Sequence, residues 1–342
     1  MKKTPKPAAS ATPIAFVQAI VLAYEQRNIS PDPALAAAQI APQELCNPRA
    51  RITALQMERI SGQAMRELND EALGWFSRPL PWGSYGMLAR ASLSAPTLGV
   101  ALRRWCRHHG LLTPDIQLEL RQSGELATLQ LTDKRAPHPL REFCHVSVLR
   151  NIWGLACWYI DSRIPLALAH FSFPAPAHQS AYTVLFPAPT HFDCAASAIV
   201  FHTSYLSQPL RRDEKALNQM LQNALPLMVQ TYRRDRLLAE RTRQALQIQP
   251  HSNAEQLAEH LHVSPRTLHR QLQEHGTSLQ TLKNSVRREQ AIELLLRTHQ
   301  PLKLVAHGAG FQNEKSFIRA FKGWTGKTPA VFRAEQAHHF FI

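Results

Sequence analysis

Near the C-terminal end of the chain, Arg266, His269 and Arg270 stand at the i, i+3, i+4 spacing that puts side chains on one face of a helix, opposite Leu268 and Leu272. A second stretch repeats the design: Glu314, Lys315, Ile318 and Arg319 begin one face, and Phe317, Ala320 and Phe321 mark the other. Guanidinium and imidazole donors on a helix that turns its apolar side inward have an obvious use in the major groove of DNA. One basic helix face is ordinarily only a solvated face. Two of them, each following a helix-turn pattern in one basic segment, point to nucleic acid.

Each face needs a scaffold, and the sequence supplies one. Ser252 with Glu255 forms a capping box. Ala254, Leu257, Ala258 and Leu261 give a buried side, and His262-Val263 a turn. Ser264 then caps a second helix running from Pro265 to about His275, where Gly276 stops it. A helix over 279–298 follows. Beyond it Leu302, Val305 and Ala306 form an apolar side, Gly310-Phe311 a turn, and Asn313 the cap of a helix reaching about Trp324. Trp324 and Phe332 fall at core spacing and read as anchors rather than base-stacking platforms.

These residues carry a resemblance. The run Ser264-Pro-Arg-Thr-Leu-His-Arg-Gln-Leu, then Gly310-Phe311, Ser316-Phe-Ile-Arg-Ala-Phe-Lys322, Trp324-Thr-Gly326 and Thr328-Pro-Ala-Val-Phe-Arg333, resembles the DNA-binding domain of the AraC/XylS family of transcription regulators. The resemblance implies two helix-turn-helix units joined by the 279–298 helix, with both recognition helices facing one side of DNA. Twenty residues at 1.5 Å rise span about 30 Å, close to the ~34 Å major-groove repeat. It also implies that Arg266, His269 and Arg270 in the first unit, and Glu314, Lys315, Ile318 and Arg319 in the second, face bases or adjacent phosphates. Arginine can address guanine O6 and N7, glutamate a cytosine amine, isoleucine a thymine methyl. Ser264, Lys283, Arg287, Lys322 and Lys327 are expected on phosphates, which fix register without reading sequence. Leu302-Lys-Leu-Val-Ala-His-Gly-Ala309 departs from the family pattern by lacking an acidic residue before Val-Ala and by carrying Gly308.

Charge follows the same division. Of 342 residues, 39 are Lys or Arg and 25 Asp or Glu, net +14; residues 1–235 hold 24 basic and 17 acidic side chains, residues 236–342 hold 15 and 8. Each part is net +7, so the shorter one is about twice as densely charged. From 14 to about 111 the period is helical, over 14–27 (Thr12 as cap, Pro13 first), 33–40, 51–71 and 95–109. A hairpin is expected at 116–121 and 126–131 around Ser123-Gly124, then a helix at 139–161. Strands at 166–173 and 198–202 flank a helix at 177–185, and a charged helix runs over 213–245 beyond a hinge at Ser207-Gln208-Pro209. The expected fold is an α+β N-terminal domain, with helices and a small antiparallel sheet, followed by an all-α domain of two helix-turn-helix units. The boundaries are 1–207 for effector sensing and dimerisation, 208–235 for a linker helix and 236–342 for DNA binding. Asp70-Glu-Ala-Leu-Gly74, Tyr85-Gly86, Leu93 to Leu102, Ala177 to Phe186, Phe201 and Pro209-Leu210 resemble the arabinose-binding-like N-terminal domain of a subgroup of the same family.

Other residues bear on other chemistries. Cys46, Cys106, Cys144, Cys157 and Cys194 are odd in number and scattered, which suits a reducing compartment. Lys2, Lys3 and Lys6 before an apolar stretch look like a signal peptide, but Gln18 and Glu25-Gln-Arg27 break the pattern. No apolar run approaches the ~18 residues of a membrane span. Cys144-His145 leaves open a DNA alkyl-transfer repair or adaptive-response protein, and the many histidines a metal-responsive sensor, although H-E-x-x-H is absent. Gly83-Ser-Tyr-Gly86 is not a nucleophile elbow. Trp75, Phe76, Trp82, Tyr85, Trp105, Trp153 and Trp158 suit a core better than a pocket, and Arg103, Arg104 and Arg107 a solvated face. The sequence is thus read as a cytoplasmic transcription regulator, not an enzyme, without a cofactor, catalytic residues or a metal site. Its expected partners are double-stranded promoter DNA, RNA polymerase, an unknown small-molecule effector and a second copy of itself, with activation as the output.

Overall fold

The computed structural model describes residues 12–222, 224–229, 232, 237–261, 263–274 and 276–339. Lys2, Lys3 and Lys6, and positions 262 and 275 of the expected first helix-turn-helix, lie outside the described residues. The chain divides into two compact units, 1–234 and 235–342.

The first unit begins with β1 (Thr12–Pro13), paired antiparallel with β2 (Arg51–Ile52). Thr12 is therefore a buried strand residue and not the expected helix cap; Pro13 holds ψ at 143° and lacks a donor, so Ile14 N–H reaches Ala50 O instead. The helices α1 (Ile14–Glu25), α2 (Asp32–Ala37) and α3 (Ala54–Glu67) follow, the last opened by a Thr53–Gln56 capping box. Next comes α4 (Ser84–Leu93), which the sequence reading did not foresee among its flanking prolines and glycines. Gly83 enters it at φ +99°, and the Glu71 carboxylate accepts from Gly83 N–H at 2.6 Å and Tyr85 N–H at 2.7 Å. A distant side chain thus caps a helix that has no local cap.

After α5 (Leu98–Leu112), β3 (Ile116–Ser123) and β4 (Leu126–Asp133) form the expected hairpin, turning at Gly124 with φ +56°. Helix α6 (Arg141–Tyr159) is buried over nearly its whole length and packs on β4 and on β7 (Ser197–His202). Between them lie β5 (Leu166–His170), α7 (Tyr182–Leu185) and β6 (Thr190–His191). The five-stranded sheet has the order β3-β4-β7-β5-β6, antiparallel except for the short β5–β6 pair.

The expected hinge at 207–209 is strapped down: Leu98 N–H donates to Gln208 O and Gly99 N–H to Leu206 O, both at 2.8 Å. The single charged helix expected over 213–245 is replaced by α8 (Glu214–Leu221), α9 (Leu225–Val229) and, in the second unit, α10 (Leu238–Ile248). Glycines receive α8 and α9. A Cβ at Gly86 would stand 3.1 Å from Leu221 Cδ1, one at Gly62 3.1 Å from Leu225 Cδ1, and one at Gly154 only 2.2 Å from Leu227 O. The segment leading toward the second unit is therefore seated in notches cut into α3, α4 and α6.

Among its described residues the second unit holds helices and no strand: α10, α11 (Ala254–His260), α12 (Pro265–Glu274), α13 (Leu279–Arg297), α14 (Leu302–Gly308), α15 (Glu314–Thr325) and α16 (Pro329–His339). Among the described residues no helix is long and apolar enough to cross a membrane.

Candidate DNA-binding interface

Two apolar clusters hold the second unit together, one per helix-turn-helix. The first joins Leu238 and Leu246 of α10, Leu257 and Leu261, Leu268 and Leu272 of α12, and Val286 of α13. The second gathers Ala291 and Leu295 of α13, Val305 and Ala306 of α14, and Phe317 and Phe321 of α15, with Trp324 and Phe332 packed at its edge. Helix α13 contributes to both and spans about 28 Å at 1.5 Å per residue, so it sets the separation of the halves.

The turns are built alike. Val263 N–H donates to Ala258 O and Phe311 N–H to Ala306 O, each at 2.9 Å. Gly310 adopts φ +82°, and a Cβ there would stand 3.0 Å from Pro250 Cβ and 3.2 Å from Arg287 Nε. Ser264 Oγ accepts from Thr267 N–H at 3.1 Å to cap α12, and Asn313 Oδ1 accepts from Ser316 N–H at 2.8 Å to cap α15. In front of α11 the cap is one residue later than expected. Asn253 and Gln256 exchange the capping-box bonds, and Ser252 is buried. An amide accepts from the backbone as a hydroxyl does, so both assignments fit the sequence, and packing of Ser252 selects one.

With the apolar sides inward, Arg266, His269 and Arg270 of α12 are exposed, as are Lys315, Arg319 and Lys322 of α15. Arg270 makes an exposed 3.6 Å ion pair with Glu274 of its own helix. Glu314 is half-buried at the start of α15, and Ile318 packs partly against the second core, leaving only part of its side chain outward. Of the residues expected on phosphates, Ser264 is exposed while serving as a cap, and exposed Lys327 pairs with Glu335 at 2.5 Å. Lys283 is half-buried, and burial and then the Arg287 charge lower its pKa. Arg287 lies 5.1 Å over the Phe311 ring, where burial also lowers its pKa. Its guanidinium ties α13 to the second turn, and Phe311, as the ring facing it, was the available signal for that role.

The first unit bears on the other chemistries. Cys144 is fully buried, and burial pushes its thiol up to about 12, opposite to what a reactive thiolate needs. No group of three or more His, Cys, Asp or Glu among the described residues could hold a metal ion. A serine, histidine and aspartate do meet, which no spacing in the sequence marks. Ser197 Oγ lies 2.8 Å from His145 Nδ1, and His145 Nε2 lies 3.2 Å from Asp133 Oδ2. Burial opposes ionisation of Asp133, but hydrogen bonds from His145 and Arg135 outweigh it and hold the carboxyl well below its ordinary range. All three side chains are inaccessible, so this is an internal polar network without room for a substrate. Trp75, Phe76, Trp105, Trp153 and Trp158 are buried in the core, Tyr85 is half-buried and Trp82 is 56% exposed.

Comparison with known proteins places these features. Residues 29–210 match the arabinose-binding domain of AraC transcription regulators, N-terminal, and residues 257–335 match a helix-turn-helix domain. The ornithine utilization regulator of Pseudomonas aeruginosa is 26% identical over 328 residues, covering 95% of this chain and 97% of that protein. The arabinose operon regulatory protein of Escherichia coli K12 is 37% identical over 79 residues, 23% of this chain and 27% of that protein. A crystal structure of the transcriptional regulator CdpR from Pseudomonas aeruginosa aligns with 91% of this chain and 98% of that one, at 20% identity and a TM-score of 0.36.

Proposed function

The chain belongs to the AraC family of DNA-binding transcription regulators, and from that premise we propose that it is a cytoplasmic, effector-responsive activator that reads promoter DNA with α12 and α15. The supporting observation is the pair of exposed basic faces, Arg266, His269 and Arg270 on one recognition helix and Lys315, Arg319 and Lys322 on the other, carried by two turns of the same construction. Base contacts are assigned to Arg266, His269, Arg270, Glu314, Lys315, Arg319 and the outward part of Ile318. Ser264, Lys283, Lys322 and Lys327 are assigned to phosphates, and Arg287, stacked on Phe311, contributes its charge from behind the turn. Residues 1–207 sense effector and dimerise, 208–235 couple, and 236–342 bind DNA and meet RNA polymerase. The N-terminal match is described by arabinose and the full-length relative by ornithine utilization, so together they favour a small-molecule effector without choosing its chemistry.

The test uses duplex DNA selected by the full-length chain from a random library. Arg266→Ala and Arg319→Ala each reduce affinity for the selected site by about 1–3 kcal/mol while leaving non-specific binding nearly unchanged, and wild-type affinity falls steeply with salt. Variants that protect the selected DNA as well as wild type overturn the assignment. Transcription in vitro from a promoter carrying that site reports the sign: a rise with added protein supports activation, a fall refutes it.

A further inference from the structure

A cavity of about 480 Å³ opens within the first unit between α3, the start of α4, Asn151 of α6 and the α8–α9 segment. Its volume lies in the range of small-molecule sites. Asn151 also borders two smaller cavities of about 60 and 40 Å³, so one amide stands where all three adjoin.

The wall carries charges of both signs, and most are already committed. Arg90 donates to Glu214 Oε1 at 2.6 Å and Asn218 Oδ1 at 2.7 Å, and Glu71 accepts from the two amides that open α4. Arg66 is exposed and donates to neutral Gln63. Glu58 and Arg59 have no hydrogen-bond or ion-pair partner among the described residues. As sequence neighbours on a helix they point about 100° apart and do not face each other. Tyr85 also borders this cavity with its ring, and its hydroxyl is buried without a hydrogen-bond partner among the described residues. Met65, Trp82, Leu221 and Leu225 supply apolar surface between these groups.

A neutral apolar occupant would cover the half-buried Glu58 carboxylate without giving it a partner, and a simple anion drawn to the exposed Arg59 and Arg66 would set its charge beside Glu58. We propose that this cavity is an effector site for a zwitterion of the α-amino-acid class, free or as a short peptide, whose carboxylate meets Arg59 and Arg66 and whose ammonium group meets Glu58. The assignment rests on the effector-responsive reading above. Leu221 and Leu225 are both cavity wall and the side chains seated against Gly86 and Gly62. A bound zwitterion therefore contacts α3 and the connecting segment together, and its affinity depends on that segment being seated. By linkage, occupancy favours the seated state.

Calorimetric titration of the full-length chain with the standard L-amino acids, L-ornithine and a set of dipeptides tests the site. At least one free amino acid or dipeptide binds, and which of the two sets contains the tighter ligand identifies the source. For that ligand, the analogue lacking the carboxylate and the analogue lacking the α-amine each bind at least about tenfold more weakly. Arg59→Gln weakens the zwitterion but not the carboxylate-free amine, and Glu58→Gln weakens the zwitterion but not the amine-free acid. Circular dichroism verifies that both variants fold. Absence of binding at millimolar concentration, equal binding of the truncated analogues, or wild-type affinity in folded variants overturns the site. If arabinose shifts DNA affinity while no zwitterion binds, the effector reading stands and this site falls. If a zwitterion binds as described without changing DNA affinity or transcription, the cavity is a binding site but its role as effector site is overturned.

Discussion

The two helix-turn-helix halves close their turns with equivalent backbone bonds, yet they fill their cores differently. The first is aliphatic, built on Leu257, Leu261, Leu268 and Leu272; the second is aromatic, with Phe317 and Phe321 fully buried and Phe311, Trp324 and Phe332 around them. The first turn relies on Ser264 and Val263, whereas the second adds a glycine at positive φ and a guanidinium stacked on Phe311. The contrast teaches that one helix-turn-helix geometry is reached from two packing solutions. It also makes each half separately breakable, because α13 lends different residues to each.

The largest test removes a ring. Phe321→Ala is expected to cost about 3–5 kcal/mol and Leu272→Ala about 2–5 kcal/mol, read by denaturant unfolding. Hydrogen exchange should then quicken mainly in α14–α16 for the first variant and in α11–α12 for the second. Equal quickening in both halves would show one cooperative body and dissolve the comparison. Next in size are the glycines. Gly326 has φ +76° but open space, so Gly326→Ala should cost about 1–2 kcal/mol for backbone conformation alone. Gly310→Ala should cost more, because its Cβ also meets Pro250 and Arg287; equal thermal shifts would refute the close approach. Smallest are the caps. Ser264→Ala and Asn313→Ala should each destabilise by about 1 kcal/mol. Only the serine change should also weaken binding to non-specific DNA, since Ser264 alone of the two is assigned to phosphate.

The parts legible in the sequence were those governed by local chemistry. Gly276 and Gly310 do take positive φ, Ser264 and Asn313 do cap, and the 116–133 hairpin turns where Ser123-Gly124 said it would. Features fixed by distant partners were not legible. Helix α4 begins directly after Pro79, Pro81 and Gly83 with no capping side chain of its own, and its cap comes from Glu71. Residues 213–245 look like one charged helix because nothing local shows Leu221, Leu225 and Leu227 docking onto Gly86, Gly62 and Gly154. The exposed basic faces of α12 and α15 follow from spacing, but the stacking of Arg287 and the partial burial of Ile318 depend on the tertiary core. Glu58, Arg59 and Asn151 carried no signal at all, since a cavity wall has no period.

At Gly154 the contact falls on the main chain of Leu227, not on its side-chain tip. A carbonyl is common to every residue, so many substitutions at 227 preserve that seat, whereas any side chain at 154 collides with it. The tolerance to change across this contact is thus lopsided. Position 227 is free to drift in sequence, while the helix beneath it must keep a bare backbone for it to rest on.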